Sequence, residues 1–239
     1  MFFSKKPITF NCYTHDVATY KSAPVQKAVK FFPEFVKDLQ KTGQELDDDL
    51  FDVKTMTSCV GFIENYKKGF VIPAWSDMRL KVSQADDLNW QWRVASGQGS
   101  VQIHSQKQRG KYADENRYQH FKLCPPWIIQ ANEPIDVIWT NPHWNYVEPF
   151  EFMTLSGVIN YGKVSEGNVN ILVPKGVEEK ILEFSVNDPL AHLIPLTDRP
   201  IKIVNHFMSY DEYEQRRRSN LLDVKFKHRT KTESKLKCP

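Results

Sequence analysis

Short apolar runs fill the chain from residue 58 to residue 204. The runs are rich in β-branched and aromatic residues, and Gly, Pro, Asn and Asp separate them. Many short strands at close spacing are typical of an all-β sandwich or barrel. The run at 168–174 has apolar residues on both faces, which predicts a strand in the interior of the fold. The predicted strand regions are 70–83, 88–97, 100–106, 127–142, 150–160, 168–174, 180–186, 190–196 and 201–207.

The two ends of the chain carry different patterns. Residues 4–13 alternate and predict a first strand. Residues 22–40 place apolar side chains on one helical face, with Ser22 as the predicted N-cap. Pro33 interrupts that face, which favours two short helical turns over one helix. Residues 209–219 predict a short C-terminal helix.

These patterns divide the chain into three segments. Residues 1–57 hold the N-terminal strand, the helical segment and an acidic loop. Residues 58–208 form the predicted all-β core, and residues 209–239 hold the C-terminal helix and a basic tail. The predicted fold class is therefore mainly β, with a barrel or sandwich at its centre.

The composition indicates a globular protein with a sizeable core. Of the 239 residues, 41% are hydrophobic and 26% are charged, which is ordinary for such proteins. No apolar run approaches the roughly 18 residues that a membrane span needs. The N-terminal residues also lack the apolar region of a signal peptide. The four cysteines include no C-x-x-C pair, which argues against a zinc ribbon.

Positive charge is concentrated at the C-terminus. Between Arg216 and Lys237 there are nine Lys or Arg residues against Asp223 and Glu233, so this stretch carries +7. The net charge of the chain is +3, so the remainder is mildly acidic. Such a tail predicts a separable arm that binds nucleic acid or an acidic partner by charge. An arm that only aids solubility or assembly remains the alternative.

A second basic stretch, "HSQKQRGKYADENRYQH", lies at 104–120. Its cations are suited to binding a phosphate or an acidic partner. Asp114 and Glu115 lie in the same stretch, and a solvated loop of mixed charge is the alternative. The candidate phosphate-binding or acidic-partner residues, with three from the tail, are Lys107, Arg109, Lys111, Arg216, Arg217 and Arg218.

Three stretches between residues 126 and 196 match the order and spacing of a known set of motifs. They are "PWIIQANEPIDVIWTNP", "SGVINYGKVSEGNVNILV" and "FSVNDPLAHLIPL". Together they resemble the dUTPase and dCTP-deaminase superfamily. The resemblance implies that family's compact all-β fold, the β-clip, and a trimeric assembly.

The positions that carry that family's chemistry differ here. Asn160 stands where the resemblance implies the aspartate that orients water, and a neutral amide cannot act as a base. The stretch at 140–144, "TNPHW", stands near the Arg-Ser-Ser phosphate loop, and His192 stands in place of a Gln. Gly157 begins the "GVIN" strand, where a neighbouring subunit or a ligand would approach closely. The candidate ligand-binding residues are Thr140, Asn141, His143, Gly157, Asn160, Tyr161 and His192.

A wider set of stretches also resembles a group of uncharacterised proteins encoded by tailed phages. They are "HSQKQRGKY", "YQHFKLCPPW", "NPHWNY" and "PLAHLIPLTDRPIKIVNHF". This resemblance implies a viral origin, with a location in the cytoplasm of the infected host cell or in the virion.

Two functions follow from these observations. The leading hypothesis is a non-enzymatic β-clip-like protein of phage type that self-associates and acts in binding or in virion assembly. The alternative is a diverged nucleotide-processing enzyme with a pocket lined by His and Asn. No cofactor and no metal site are predicted; Mg²⁺ or a transition metal enters only under the alternative. His104, His120, His143 and His192 are the histidines that such a transition metal would use.

Overall fold

The computed structural model describes residues 5–37, 56–82, 91–94, 100–112, 114, 117–146, 151–175 and 180–219. Most of the acidic loop and the tail from residue 220 lie outside this part of the chain. The described strands are β1 Ile8–Thr14, β2 Gln26–Lys27, β3 Phe70–Pro73, β4 Met78–Val82, β5 Gln91–Val94, β6 Ser100–Ile103, β7 Tyr118–Cys124, β8 Ile128–Ala131, β9 Asp136–Thr140, β10 Met153–Thr154, β11 Gly157–Asn160, β12 Val169–Pro174, β13 Lys180–Phe184, β14 Pro189–Pro195 and β15 Ile201–Phe207. The α-helices are α1 Val17–Ser22, α2 Glu34–Lys37, α3 Val60–Lys67, α4 Gln106–Arg109 and α5, residues 210–219.

The strands form four sheets. Their orders are β15-β1-β8, β10-β12-β7-β6, β11-β9-β14-β3-β2 and β13-β4-β5. The pairings are antiparallel except for the one between β1 and β15, which is parallel. The prediction of a mainly β protein is confirmed. Within the described ranges each sheet has two free edges, and no closed barrel is formed.

One hydrophobic core joins all four sheets. Phe10 of β1, Leu80 of β4, Phe121 of β7 and Leu193 of β14 belong to the same cluster, and each is fully buried. Strand β12 lies between β10 and β7 and buries four of its six residues, which confirms its predicted interior place. Strand β1 lies between β8 and β15, so the strand of the 1–57 segment shares its sheet with strands of the 58–208 segment.

The N-terminal helical segment is confirmed in type but shifted in position. Short helical turns occur at Ala28–Phe31 and Glu34–Lys37, on either side of Pro33. Ser22, however, ends helix α1 instead of capping a helix. The N-cap is Asp16, whose carboxylate accepts hydrogen bonds from the backbone N–H groups of the first turn.

Helix α3 and strand β7 are among the described elements inside the predicted all-β core that were not expected. Helix α3 buries Phe62 and Tyr66, which are one turn apart and pack in a small cluster beside the main core. Strand β7 is central in its sheet, yet it buries the polar residues Gln119 and His120. Buried polar side chains weaken the apolar alternation by which a strand is recognised in sequence.

Helix α5 confirms the predicted C-terminal helix. The Ser209 hydroxyl accepts a hydrogen bond from the Glu212 backbone N–H at 3.4 Å. The Glu212 carboxylate accepts one in return from the Ser209 backbone N–H at 3.0 Å, which completes a capping box. Tyr213 is buried against the body of the protein. None of the described helices is long and apolar enough to cross a membrane.

Candidate functional site

Asn160 lies at the end of β11 and caps a turn. Its amide nitrogen donates to the Asp136 carboxylate at 2.6 Å, and its amide oxygen accepts from the Gly162 backbone N–H at 3.1 Å. Its backbone carbonyl accepts from the N–H of Lys163 at 2.9 Å. The bond from Gly162 is the local bond by which Asn stabilises turns, and with the bond to Asp136 both ends of the side-chain amide are occupied.

His192 lies inside the protein on β14 and is only 3% exposed. Its Nε2 donates a hydrogen bond to the backbone carbonyl of Lys68 at 2.8 Å, and its ring stacks on Tyr66 at 5.9 Å. Burial lowers the pKa of His192 below its usual value, because the interior disfavours the imidazolium, and the Lys68 carbonyl opposes this shift. The ring is therefore a neutral hydrogen-bond donor that joins β14 to the end of α3.

Residues 140–146 contact both His192 and helix α3. Thr140 pairs with His192 in the β9–β14 register and is half-buried. Asn145 accepts from the Tyr66 hydroxyl at 2.7 Å and donates to the Phe31 carbonyl at 2.6 Å. The side-chain amide of Asn141 is buried and has no hydrogen-bond partner among the described residues. His143 begins a short 3-10 helix, and its side chain lies outside the described part of the structure.

The predicted ligand-binding residues do not meet at one point. In the β11–β9 register Gly157 is opposite Trp139, whereas Asn160 is opposite Asp136. Thr140 is four residues along β9 from Asp136, roughly 13 Å at the usual rise of a strand. Tyr161 is 2% exposed and packs edge-on against Phe10 in the core. Asn160 and the Thr140–His192 pair are therefore at opposite ends of the strand.

A cleft lies beside β11. It has a volume of about 470 Å³ and is lined by Gly157, Val158 and Ile159 together with Tyr112 of the basic stretch. Val158 is 61% exposed and Tyr112 is 55% exposed, so its rim is apolar and open to solvent. We call this region the β11 cleft.

Polar groups line the floor of the β11 cleft. The rings of His104 and His120 lie 4.6 Å apart between centroids. His120 Nε2 is 3.3 Å from the side-chain oxygen of Asn170. His192 lies elsewhere, bonded to Lys68, so these predicted histidines do not converge. No group of three or more His, Cys, Asp or Glu side chains within the described ranges could hold a metal ion.

Among the described residues, Gly157 has room around it. A Cβ built on this residue would meet no atom within 4 Å. The described residues therefore do not supply the close approach expected at this position.

The predicted basic residues fall into two groups. Lys107 and Lys111 are exposed at α4 and at the turn after it, and the side chain of Arg109 lies outside the described part of the structure. Arg218 is exposed and lies 3.8 Å from the Glu214 carboxylate.

Arg216 and Arg217 are structural contacts of α5. The guanidinium of Arg216 lies 4.1 Å from the centre of the Tyr13 ring and donates to the Gln130 side chain at 2.6 Å. Arg217 pairs with Glu214 at 2.8 Å and with Glu166 at 3.2 Å. These two residues belong to the folded body, which corrects the expectation of a separable arm that starts at Arg216.

No protein-family model matches the chain, and no curated protein matches it at a significant level.

Three residues that line the β11 cleft were predicted as candidates from the sequence: Gly157, His104 and His120. Tyr112 and Val158, which also line it, were not. The "GVIN" string placed Val158 next to Gly157, but only sheet order shows that β11 is an edge strand. An exposed Val on a strand looks in sequence like any apolar strand residue, so no local signal could have separated it from the core.

Proposed function

We propose that this protein is a non-enzymatic β-clip-like protein of phage type that self-associates and acts as a binding or assembly component. The observation that carries the proposal is the β11 cleft with its exposed edge strand. A trimer is the expected stoichiometry, by analogy with the family that the sequence resembles.

The edge position of β11 supports self-association. An edge strand presents unpaired backbone groups and readily pairs with another chain. Proteins commonly protect such edges with charged residues, whereas β11 carries Gly157 and the exposed Val158 here. Tyr112 adds an exposed aromatic ring across the cleft, and aromatic residues are enriched at protein interfaces. A second copy of the chain would cover both side chains.

The contacts of Asn160 and His192 support a role other than hydrolysis. A water-orienting residue needs a free carboxylate or another base. Asn160 is neutral, and its amide is already bonded to Asp136 and Gly162. His192 has one ring nitrogen bonded to the Lys68 carbonyl inside the core.

Replacing Val158 by lysine is expected to convert the oligomer to monomers. A lysine at the centre of the interface would be buried without a partner, while in the monomer it stays in water. Native mass spectrometry of the wild type and of Val158→Lys measures the stoichiometry directly. Val60→Lys is the matched control, because Val60 is 71% exposed on α3 and does not line the β11 cleft. The control should remain oligomeric.

A monomeric wild type, or an oligomer that Val158→Lys leaves intact, contradicts self-association through β11. The enzymatic alternative is tested on the same preparations. Pyrophosphate release from dUTP or dCTP with Mg²⁺ at rates of about 1 per second or more would favour the nucleotide-processing enzyme. We expect no such turnover.

We further propose that the basic tail binds nucleic acid or an acidic partner. Residues 220–239 contain six Lys or Arg residues and two acidic residues. Their apolar residues are scattered among charges, which disfavours a core of their own. Binding would then depend on charge and fall steeply with salt.

Two truncations separate the tail from the helix. A chain that ends at Ser219 keeps α5, and we expect an unchanged melting temperature with loss of DNA binding. A chain that ends at Gln215 also lacks Arg216 and Arg217, and we expect it to lose about 1–3 kcal/mol of stability. Thermal unfolding and DNA binding at two salt concentrations measure both effects. Unchanged DNA binding in the first truncation would make a protein surface the partner of the tail.

A further inference from the structure

One face of the β15-β1-β8 sheet is turned toward solvent. Alternate side chains of β1 are buried, and those between them are only half-buried. The residues of β1 on this less buried side, with the residues of β15 that the parallel register places beside them, are Thr9, Asn11, Tyr13, Lys202, Val204 and His206. Lys202 is exposed, and the other five are half-buried. We call this surface the outer sheet face.

Planar side chains are stacked at one end of the outer sheet face. The ring of His206 stacks on the ring of Tyr13, with 4.7 Å between centroids and 19° between planes. The guanidinium of Arg216 on α5 lies 4.1 Å from the centre of the same Tyr13 ring. His206 Nε2 lies 3.0 Å from the side-chain oxygen of Asn11, and Arg216 donates to Gln130 at 2.6 Å. These hydrogen bonds hold the group, which we call the outer stack, in a fixed arrangement.

His206 is the end of the outer stack at which a further ring can be added. It lies on β15, which is an edge strand of its sheet. Among the described residues, Tyr13 is the only ring that His206 contacts. The imidazole is half-buried, so part of its surface is accessible from solvent. A planar ligand such as a nucleobase can stack there, because every base has a flat π-face.

The charge around the outer sheet face is positive. Lys6, Lys202 and Arg216 have no carboxylate partner within the described ranges. The charges that form ion pairs near the start of β1 and of β15 are Lys5 with Asp198 and Arg199 with Glu133. Glu212 lies one turn before Arg216 on α5 and is bonded to Ser209. Three unpaired cations against one carboxylate favour an anionic partner.

The combination of stacked rings and unpaired cations fits single-stranded nucleic acid better than the other anionic polymers. A single strand presents phosphates to the cations and the faces of its bases to aromatic side chains. In a duplex the bases are paired and stacked on one another, so a ring on a protein surface cannot reach their faces. An acidic peptide would use the cations and leave the outer stack without a partner.

We propose that the outer sheet face binds single-stranded nucleic acid, with a base stacked on His206 and the phosphates beside Lys202 and Lys6. The inference rests on the nucleic-acid role proposed above for the basic tail. The tail follows α5 directly in the sequence, so its cations are tethered close to Arg216 of the outer stack. The tail supplies affinity for any nucleic acid, and the outer sheet face adds a preference for single strands.

Fluorescence anisotropy of the full chain tests the proposal. The probes are a labelled oligothymidylate of roughly 20 nucleotides and a duplex of the same length, which exceed the usual size of a single-strand site. We expect the single strand to bind about fivefold more tightly or better. His206→Ala should remove that preference and leave duplex binding unchanged. His206→Phe should retain the preference, because it keeps a ring for stacking.

Two further variants define the site. Lys202→Gln should weaken single-strand binding several-fold and lower the slope of log affinity against log salt by about 0.7, because one phosphate contact is lost. Lys202 is exposed, so this variant carries the test if His206→Ala fails to fold. His104→Ala is the matched control, because His104 is also half-buried but lines the β11 cleft. It should leave both affinities unchanged.

Equal affinity for the single strand and the duplex overturns the proposal, and so does a preference that both His206→Ala and Lys202→Gln retain. Polyglutamate that binds as tightly as the single strand would make acidic proteins the partner and also overturns it. Absence of binding to either nucleic acid overturns this proposal and the role of the tail together. The role of the tail fails alone if the chain that ends at Ser219 keeps the full affinity while His206→Ala loses the preference.

Discussion

Replacement of Gly69 by alanine is expected to lower the free energy of unfolding by about 3–5 kcal/mol. Gly69 has a φ of +76°, a backbone conformation that side chains disfavour. A Cβ at this residue would lie 2.0 Å from the backbone carbonyl oxygen of Leu193. That oxygen belongs to β14, which is paired on both sides and cannot move freely. Urea unfolding of the wild type and of Gly69→Ala measures the change.

Gly61→Ala is the matched control for this prediction. Gly61 lies in α3, and a Cβ there would meet no atom within 4 Å. The exchange should stabilise the protein by about 0.5–1 kcal/mol, because alanine loses less backbone freedom than glycine on forming a helix. Equal effects of the two variants would show that the turn from α3 into β3 does not require glycine.

Replacement of His192 by alanine is expected to lower the free energy of unfolding by about 2–4 kcal/mol. The change leaves a cavity beside Tyr66. It also removes the hydrogen-bond donor of the Lys68 backbone carbonyl. Leu193→Ala, at a neighbouring residue that is fully buried, should destabilise by a similar amount. Denaturant unfolding at neutral pH compares the two variants.

The stabilities of His192→Ala and Leu193→Ala should depend differently on pH. The pKa of His192 is lowered in the folded protein, so the unfolded chain takes up a proton first as the pH falls. The stability that comes from neutral His192 is complete above the unfolded pKa of about 6.5 and declines as the pH falls from there through the folded pKa. Unfolding measured from pH 7.5 to pH 5 should show this decline in Leu193→Ala but not in His192→Ala. The same slope in both variants would contradict a neutral, buried His192.

Gly69 and His192 lie at one structural junction of the fold. Gly69 and His192 fix the end of α3 against β14, and Asn145 ties the 140–146 stretch to the same helix through Tyr66. The region that the sequence suggested as a ligand pocket is thus a structural junction. An open surface lies at the β11 cleft, which His120 of β7 and Asn170 of β12 help to line.

Local sequence determined the elements whose signal lies within a few residues. Alternating apolar residues predicted β15 and β14 with bounds close to those observed. Ser209 and Glu212 have the spacing of a capping box, and α5 begins there. Pro33 predicted two short helical turns because its ring cannot continue a helix. In each case the physical cause is a contact between near neighbours in the chain.

Tertiary structure decided the roles that depend on distant residues. Whether Asn160 is a catalytic remnant or a turn cap depends on Asp136, which is 24 residues away and lies opposite it only because β9 and β11 pair in one register. Burial lowers the pKa of His192, and the ring lies against Tyr66 and donates to the Lys68 carbonyl, both more than 120 residues away in the chain. The parallel pairing of β1 with β15 joins the two ends of the described chain in the same way. Strand order places Val158 at an edge and Val173 in the interior, although both are valines in strands, because burial is set by which strands are neighbours and not by the residue itself.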